Sequence, residues 1–152
     1  MFKADLKRPG DMFLQMAQSQ TFQKDVRKEL FAIAREALRE IRGSITKTSG
    51  SGRESRGKSG RRRRASAPGQ PPAKDTGTLA ASLKAGIGRK SQGTRAYVIV
   101  RSRSGFYGRF LEDGTKNIAP RPFVAPVTSK YEPVLEARMI AVQEALKNRI
   151  NG

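Results

Sequence analysis

An α+β domain, with helices packed on a short antiparallel sheet, is predicted by three observations. Apolar residues recur at helical spacing from Phe22 to Ile41 and again from Leu135 to Ile150. Between those stretches, Leu83, Ala85 and Ile87 alternate with Lys84, Gly86 and Gly88, and Tyr97-Val-Ile-Val100 is aromatic and β-branched. A proline-rich corner then separates the strands from the second helix. The expected sheet is a hairpin plus an extended arm, packed with a long N-terminal helix and a C-terminal helix, and carrying a long inserted basic loop. A chain of 152 residues is one domain's worth, so residues 1–152 are read as a single domain with 44–74 as a flexible basic loop.

The elements follow in order. Asp11 suits the cap of a short helix carrying Met12, Phe13, Met16 and Ala17. From Thr21, the stripe Phe22, Val26, Leu30, Ile33, Ala37 and Ile41 predicts an amphipathic helix of about five turns. Gly43 is its natural stop, and its charged residues, Lys24 to Glu40, read as a solvated face. After Ile45 no large apolar residue occurs until Leu79. Such a segment buries too little surface to offset its ordering entropy. Residues 44–74 hold nine basic residues against the single acid Glu54, a net +8 out of the chain's +18. The stiff run Pro68-Gly-Gln-Pro71-Pro72 ends it. Asp75 or Thr76 then suits the cap of a short helix through Leu79, Ala80 and Leu83. The hairpin follows, turning at Ser91-Gln-Gly-Thr94.

The corner runs from Tyr107 to Pro126. Phe106, Tyr107, Phe110 and Leu111 crowd a short segment, and Gly114 suits a turn that needs positive φ. Pro120, Pro122 and Pro126 force an extended path anchored by Phe123 and Val124. In the last helix, Leu135, Met139, Val142, Leu146 and Ile150 form the stripe. Ser129 and Glu132 have capping-box spacing, and Pro133 places the start of the regular helix near itself.

Composition narrows the function. The chain has no cysteine and no histidine, which excludes disulfides, cysteine zinc sites and cysteine or histidine catalysis. No cofactor or metal is expected. No run of eighteen apolar residues exists, and the first residues lack a signal core, so no membrane partner is expected. A charge of +18 favours nucleic acid, an anionic surface or an acidic protein as partner. Arg53, Arg56, Lys58, Arg61, Arg62, Arg63 and Arg64 are the candidate contacts to DNA or to an acidic partner, against the bland reading of a solvated tract. No aromatic is interleaved with them, which argues against stacking on single-stranded bases.

Two motif matches mislead. Gly52 to Ser59 spells the phosphate-loop pattern G-x-x-x-x-G-K-S, but no apolar strand enters it and four arginines follow Gly60. Gly86-Ile-Gly88 lacks the third glycine and the distant acid of a dinucleotide fingerprint. Glu112 and Asp113 are adjacent, so on a strand they would point to opposite faces, and no second acid cluster or activated nucleophile completes a site. The chain is therefore not read as an enzyme.

Three blocks carry a resemblance: Pro71-Pro-Ala-Lys-Asp-Thr76-Gly77-Thr-Leu79, Tyr107-Gly-Arg-Phe110-Leu-Glu112-Asp-Gly114-Thr115, and Pro120-Arg-Pro122-Phe123. In this order, within about residues 20–150, they resemble the signature of the tailed-bacteriophage head–tail connector, or tail-completion, proteins of the virion neck. Asp113 stands where that family often has an aromatic, and the basic insertion is longer than the resemblance requires. The resemblance implies a structural virion protein, assembled in the host bacterial cytoplasm. It would form a homo-oligomeric ring that joins the DNA-filled head to the tail and helps close the exit channel. Six copies are expected from tail symmetry, or twelve from portal symmetry. Its neighbours would be head-completion or adaptor proteins and tail-terminator or tail-tube proteins, with non-specific contact to packaged double-stranded DNA. By family motif, Thr76, Gly77, Leu79, Tyr107, Phe110, Glu112, Gly114, Thr115, Pro122 and Phe123 would supply ring or partner contacts. The alternative is a nucleic-acid-binding protein that uses the arginine-rich loop as an electrostatic arm.

Overall fold

A long helix, α1 (Gln20–Lys47), forms the spine of the molecule, and the other elements pack along it. The structure is a computed structural model that describes residues 20–56, 60, 62–90, 93–100 and 107–151. The expected Asp11 helix, Phe106, Lys58 and Arg61 lie outside the described residues.

Helix α1 runs past the expected stop at Gly43. Its buried stripe is Phe22, Val26, Leu30, Ile33, Ala34, Ala37, Ile41 and Ile45. A mid-helix glycine costs about 1 kcal/mol, whereas burying an isoleucine side chain contributes about 1.5–3 kcal/mol. Ile45, 1% exposed, therefore carries the helix one more turn. Arg42, just before the glycine, donates from Nε to the Ala80 carbonyl at 3.0 Å and from Nη2 to the Leu83 carbonyl at 2.7 Å. These two bonds tie the end of α1 to the start of the sheet.

The inserted basic segment holds a short antiparallel hairpin, β1 (Glu54–Arg56) paired with β2 (Arg62–Arg64). A one-turn helix, α2 (Thr78–Ser82), leads directly into β3 (Leu83–Lys90), which pairs antiparallel with β4 (Gly93–Val100). Both strands of this second sheet lie against α1, and Ala85 and Ile87 pack on its apolar stripe. Gly86 stands opposite Tyr97 in the register. A Cβ on Gly86 would meet the Tyr97 ring at 2.8 Å, and one on Gly88 would meet it at 3.4 Å. The glycine pair thus makes room for an aromatic ring across the strand.

A short helix, α3 (Gly108–Asp113), and a turn follow, and then α4 (Ala125–Asn151). The last helix starts eight residues before Pro133, with Ser129 and Pro133 inside it, so the expected capping box is not its beginning. Pro126 lies in its first turn, and the extended arm is accordingly shorter than expected. Pro133 removes one intrahelical bond. Buried side chains on both sides hold the helix through it, with Phe123 and Val127 before and Leu135, Met139 and Leu146 after.

Helices α1 and α4 are antiparallel, as three cross-links show. Lys130 pairs with Glu40 at 2.7 Å, Arg138 reaches both Glu36 oxygens at 2.9 and 2.8 Å, and Arg149 pairs with Asp25 at 3.2 Å. Beneath them the core divides in two. Phe22 to Ala34 pack on Leu135, Met139 and Leu146, while Ala37, Ile41 and Ile45 pack on Leu79, Ala80, Leu83, Phe123 and Val127. The architecture is the expected α+β fold, with a long N-terminal helix, a short antiparallel sheet and a C-terminal helix.

Candidate functional site

The residues of the second and third sequence blocks meet because one carboxylate joins them. Leu111 packs toward the second core cluster, so on helix α3 the next residue, Glu112, faces the oncoming arm. Its Oε2 accepts from the Phe123 amide at 2.9 Å and the Val124 amide at 3.0 Å, and its Oε1 accepts from the Ala125 amide at 2.8 Å. These are the amides that a helix start leaves without intrahelical partners. An anion there also complements the helix dipole. Glu112 is therefore a cap delivered from twelve residues upstream, and it explains why α4 begins at Ala125 rather than near Pro133.

The turn between them is set by Gly114 and Thr115. Gly114 has φ +75°, and a Cβ there would meet the Ile118 carbonyl oxygen at 2.9 Å. Only glycine avoids both penalties. The Thr115 amide donates to the Ile118 carbonyl at 2.8 Å, and Thr115 Oγ1 accepts from the Ile118 amide at 3.1 Å. The Arg121 amide donates to the Leu111 carbonyl at 2.6 Å, closing the corner. Pro122 is half-buried, and Phe123 is sealed in the core at 2% exposure. Tyr107, Phe110 and Ile118 remain exposed on the same corner segment. Asp113 points to solvent and pairs with Arg109 at 3.5 Å.

The first block stands nearby, across a cavity of about 460 Å³ that Thr76, Gly77, Leu79 and Tyr107 line together. Gly77 has φ +80°, and a Cβ there would meet only the Lys74 side chain at 3.6 Å, so backbone conformation rather than space calls for glycine. Thr76 Oγ1 accepts from the Thr78 amide at 3.3 Å, and Leu79 is buried in the core. Burial, with the charge of Asp75 second, pushes the Tyr107 phenol above its ordinary value of 10.0.

The basic hairpin forms another wall of the cavity. Its strands alternate, and Ser55 and Arg63 share the side that lines the cavity. Arg63 is held by Asp75 at 2.7 Å, and Arg62 lies 3.7 Å from Glu54. Arg53, Arg56 and Arg64 are exposed, with no carboxylate in ion-pair range among the described residues. The hairpin is tied to the corner at two points. Arg121 Nε donates to the Ser66 carbonyl at 3.1 Å, and the Gly69 amide donates to the Pro120 carbonyl at 2.9 Å. Sequence reasoning missed Ser66, Asp75 and Arg121 in these roles. Only proximity in space links them, and no local pattern marks it.

Among the described residues, no group of three or more acidic, histidine or cysteine side chains is placed to hold a metal ion. No helix among them is long and apolar enough to cross a membrane. No curated protein and no solved structure matches the chain. One family does, described as "Bacteriophage HK97-gp10, putative tail-component", over residues 13–114. That span includes the Thr76-Gly77 block and ends at Gly114, before the arm from Pro120. The match covers more than half of the 152 residues and, with this α+β architecture, the chain belongs to the HK97-gp10-like family of phage tail-component proteins.

Proposed function

We propose that this protein is a structural part of the phage neck, assembled as a closed ring that joins the DNA-filled head to the tail and helps close the DNA exit channel. The observation that carries this reading is the convergence of the sequence blocks on one end of the molecule. There Glu112 fixes the arm, while Tyr107, Phe110 and Ile118 stand exposed on the same segment. Apolar groups displayed on a rigid frame suit a lasting contact with another virion subunit. Ring closure needs two different faces of each subunit to meet. Six copies match tail symmetry, and twelve match a portal. A ring multiplies the +18 charge of each copy, so it repels itself unless salt, DNA or an acidic neighbouring ring compensates.

The test is a phage genome whose copy of this gene carries an early stop codon. The neck reading expects full heads and separate tails that join when the protein is supplied. Joined, infectious particles made without the protein contradict it.

A second reading is favoured by one observation, the exposed Arg53 and Arg56, which stand outside the cavity without carboxylate partners among the described residues. Here the hairpin is an electrostatic arm on duplex DNA. Changing each arginine to glutamine should then lower the salt slope of DNA binding by about 1. If this were the protein's main role, the variants would lose DNA affinity and function together while still assembling.

A further inference from the structure

The cavity under the basic hairpin has two kinds of lining. Its floor is apolar, with Ile45 and Leu79 from the core and Leu111 from α3. Its rim is cationic, with Arg63, Arg64, Lys74 and Arg121 against the single acid Asp75. Asp75 is already engaged by Arg63 at 2.7 Å. Arg121 uses Nε on the Ser66 carbonyl, and no described residue accepts from its Nη atoms. Ser66 also lines the cavity, and its buried Oγ has no hydrogen-bond partner among the described residues. A buried hydroxyl left without a partner calls for one.

We infer that this cavity receives a short segment of a partner protein in which a large apolar side chain stands next to a carboxylate. The apolar side chain rests on Leu79 and Leu111, and the carboxylate meets Lys74 and Arg121 at the rim. About 460 Å³ lies within the range of small-ligand pockets and suits one or two side chains. A DNA backbone fits poorly. It offers phosphates on a broad convex surface and has no apolar group for the floor, so the exposed arginines that do not line the cavity, Arg53, Arg56 and Arg62, are what a duplex would meet. The basic segment thus divides into an outer set for an extended anionic surface and an inner set for one anchored carboxylate. For the owner of the segment, another virion protein, the inference rests on the neck reading; for the chemistry of the site it rests on the lining alone.

The experiment uses the full chain and a fluorescent hexapeptide, Ser-Gly-Asp-Phe-Gly-Ser, with two controls in which Asp becomes Asn or Phe becomes Ala. The parent peptide should bind saturably, and each control should bind about tenfold more weakly. Lys74 is exposed, so Lys74→Glu should leave the fold intact and cost about the same factor. Arg56→Glu, on the outer set, should leave peptide binding unchanged. Amide spectra should place the bound peptide at Ser66, Thr78 and Tyr107. Three results would overturn the inference: no binding at about 1 mM peptide, equal binding of the Asn control, or indifference to Lys74→Glu. Displacement of the peptide by duplex DNA in Arg56→Glu would overturn the division into two sets. None of these outcomes bears on whether heads and tails join without the protein, so the two readings fail separately.

Discussion

The two halves of α1 pack against different kinds of partner. Its N-terminal half lies along α4, with Phe22, Val26, Leu30 and Ile33 meeting Leu135, Met139 and Leu146. The flanks of that seam are ion pairs, and its exposed Phe31 ring lies under Arg35, 5.8 Å away. The C-terminal half meets α2, the start of β3 and the Phe123 arm, segments drawn from across the chain. Here polar contacts over long sequence separations hold the parts together: Arg42 on Ala80 and Leu83, Glu112 on the start of α4, and Arg121 on Ser66. The first end is a helix seam that Ala85 and Ile87 of β3 also cover, and the second is a frame. The family blocks and the exposed Tyr107, Phe110 and Ile118 lie at the frame. Proteins commonly carry function on loops that a rigid scaffold positions, and the frame fits that pattern.

The largest effect expected is on the core of the frame. Ile41 is 0% exposed, and Ile41→Ala should destabilise by about 3–4 kcal/mol in urea unfolding. Leu30→Ala in the seam should cost about as much. If unfolding is one cooperative transition in both variants, α1 couples the two ends. Two separate transitions in either variant would show that they unfold independently.

Glu112 sharpens the comparison. Glu112→Ala strips the acceptor from three amides at the start of α4 and should cost about 2 kcal/mol. Hydrogen exchange should quicken at Phe123, Val124 and Ala125 and leave the seam protected. Uniform loss of protection would mean that the cap stabilises the whole fold rather than the corner.

The seam's ion pairs should matter less. Arg138 is raised above its ordinary value, chiefly by its hydrogen bond to Glu36, but both side chains are about a third exposed. With solvent screening, Arg138→Ala should cost no more than about 1 kcal/mol, and the loss should shrink as salt rises. A larger, salt-insensitive loss would move the seam's stability from its apolar stripe to its edges.

The smallest effect is a pH dependence at the frame. The Tyr107 phenol titrates above 10.0, so the folded state holds this proton more tightly than the unfolded state does. Its contribution is complete below the unfolded value and is lost as pH climbs through the raised folded value. Tyrosinate absorbance should lose a late-titrating component in Tyr107→Phe. Loss of a component at the ordinary tyrosine value instead would mean that Tyr107 is fully hydrated.

The same division explains what the sequence made legible. Helical spacing marks the seam at Phe22, Leu30, Leu135 and Met139, and strand alternation marks the β3–β4 hairpin, because each pattern is local. The stop of α1 and the start of α4 are set by contacts that no window contains. Ile45 finds core partners at Leu79 and Phe123, and the amides before Ala125 find Glu112. The resemblance points to Glu112, Gly114 and Phe123 but not to what they do in the fold, since a motif records residues and not their partners. Arg63 looks free in an arginine run and is held by Asp75, a pairing visible only once the hairpin folds back over the cavity.

The neck reading is tested most directly by the mass of the purified protein across a salt series, with images of any large species. Assembly at the frame predicts a closed ring of fixed copy number, absent at low salt and appearing as salt or an acidic partner screens the charge. A monomer at every salt concentration, with and without an acidic partner, would contradict it.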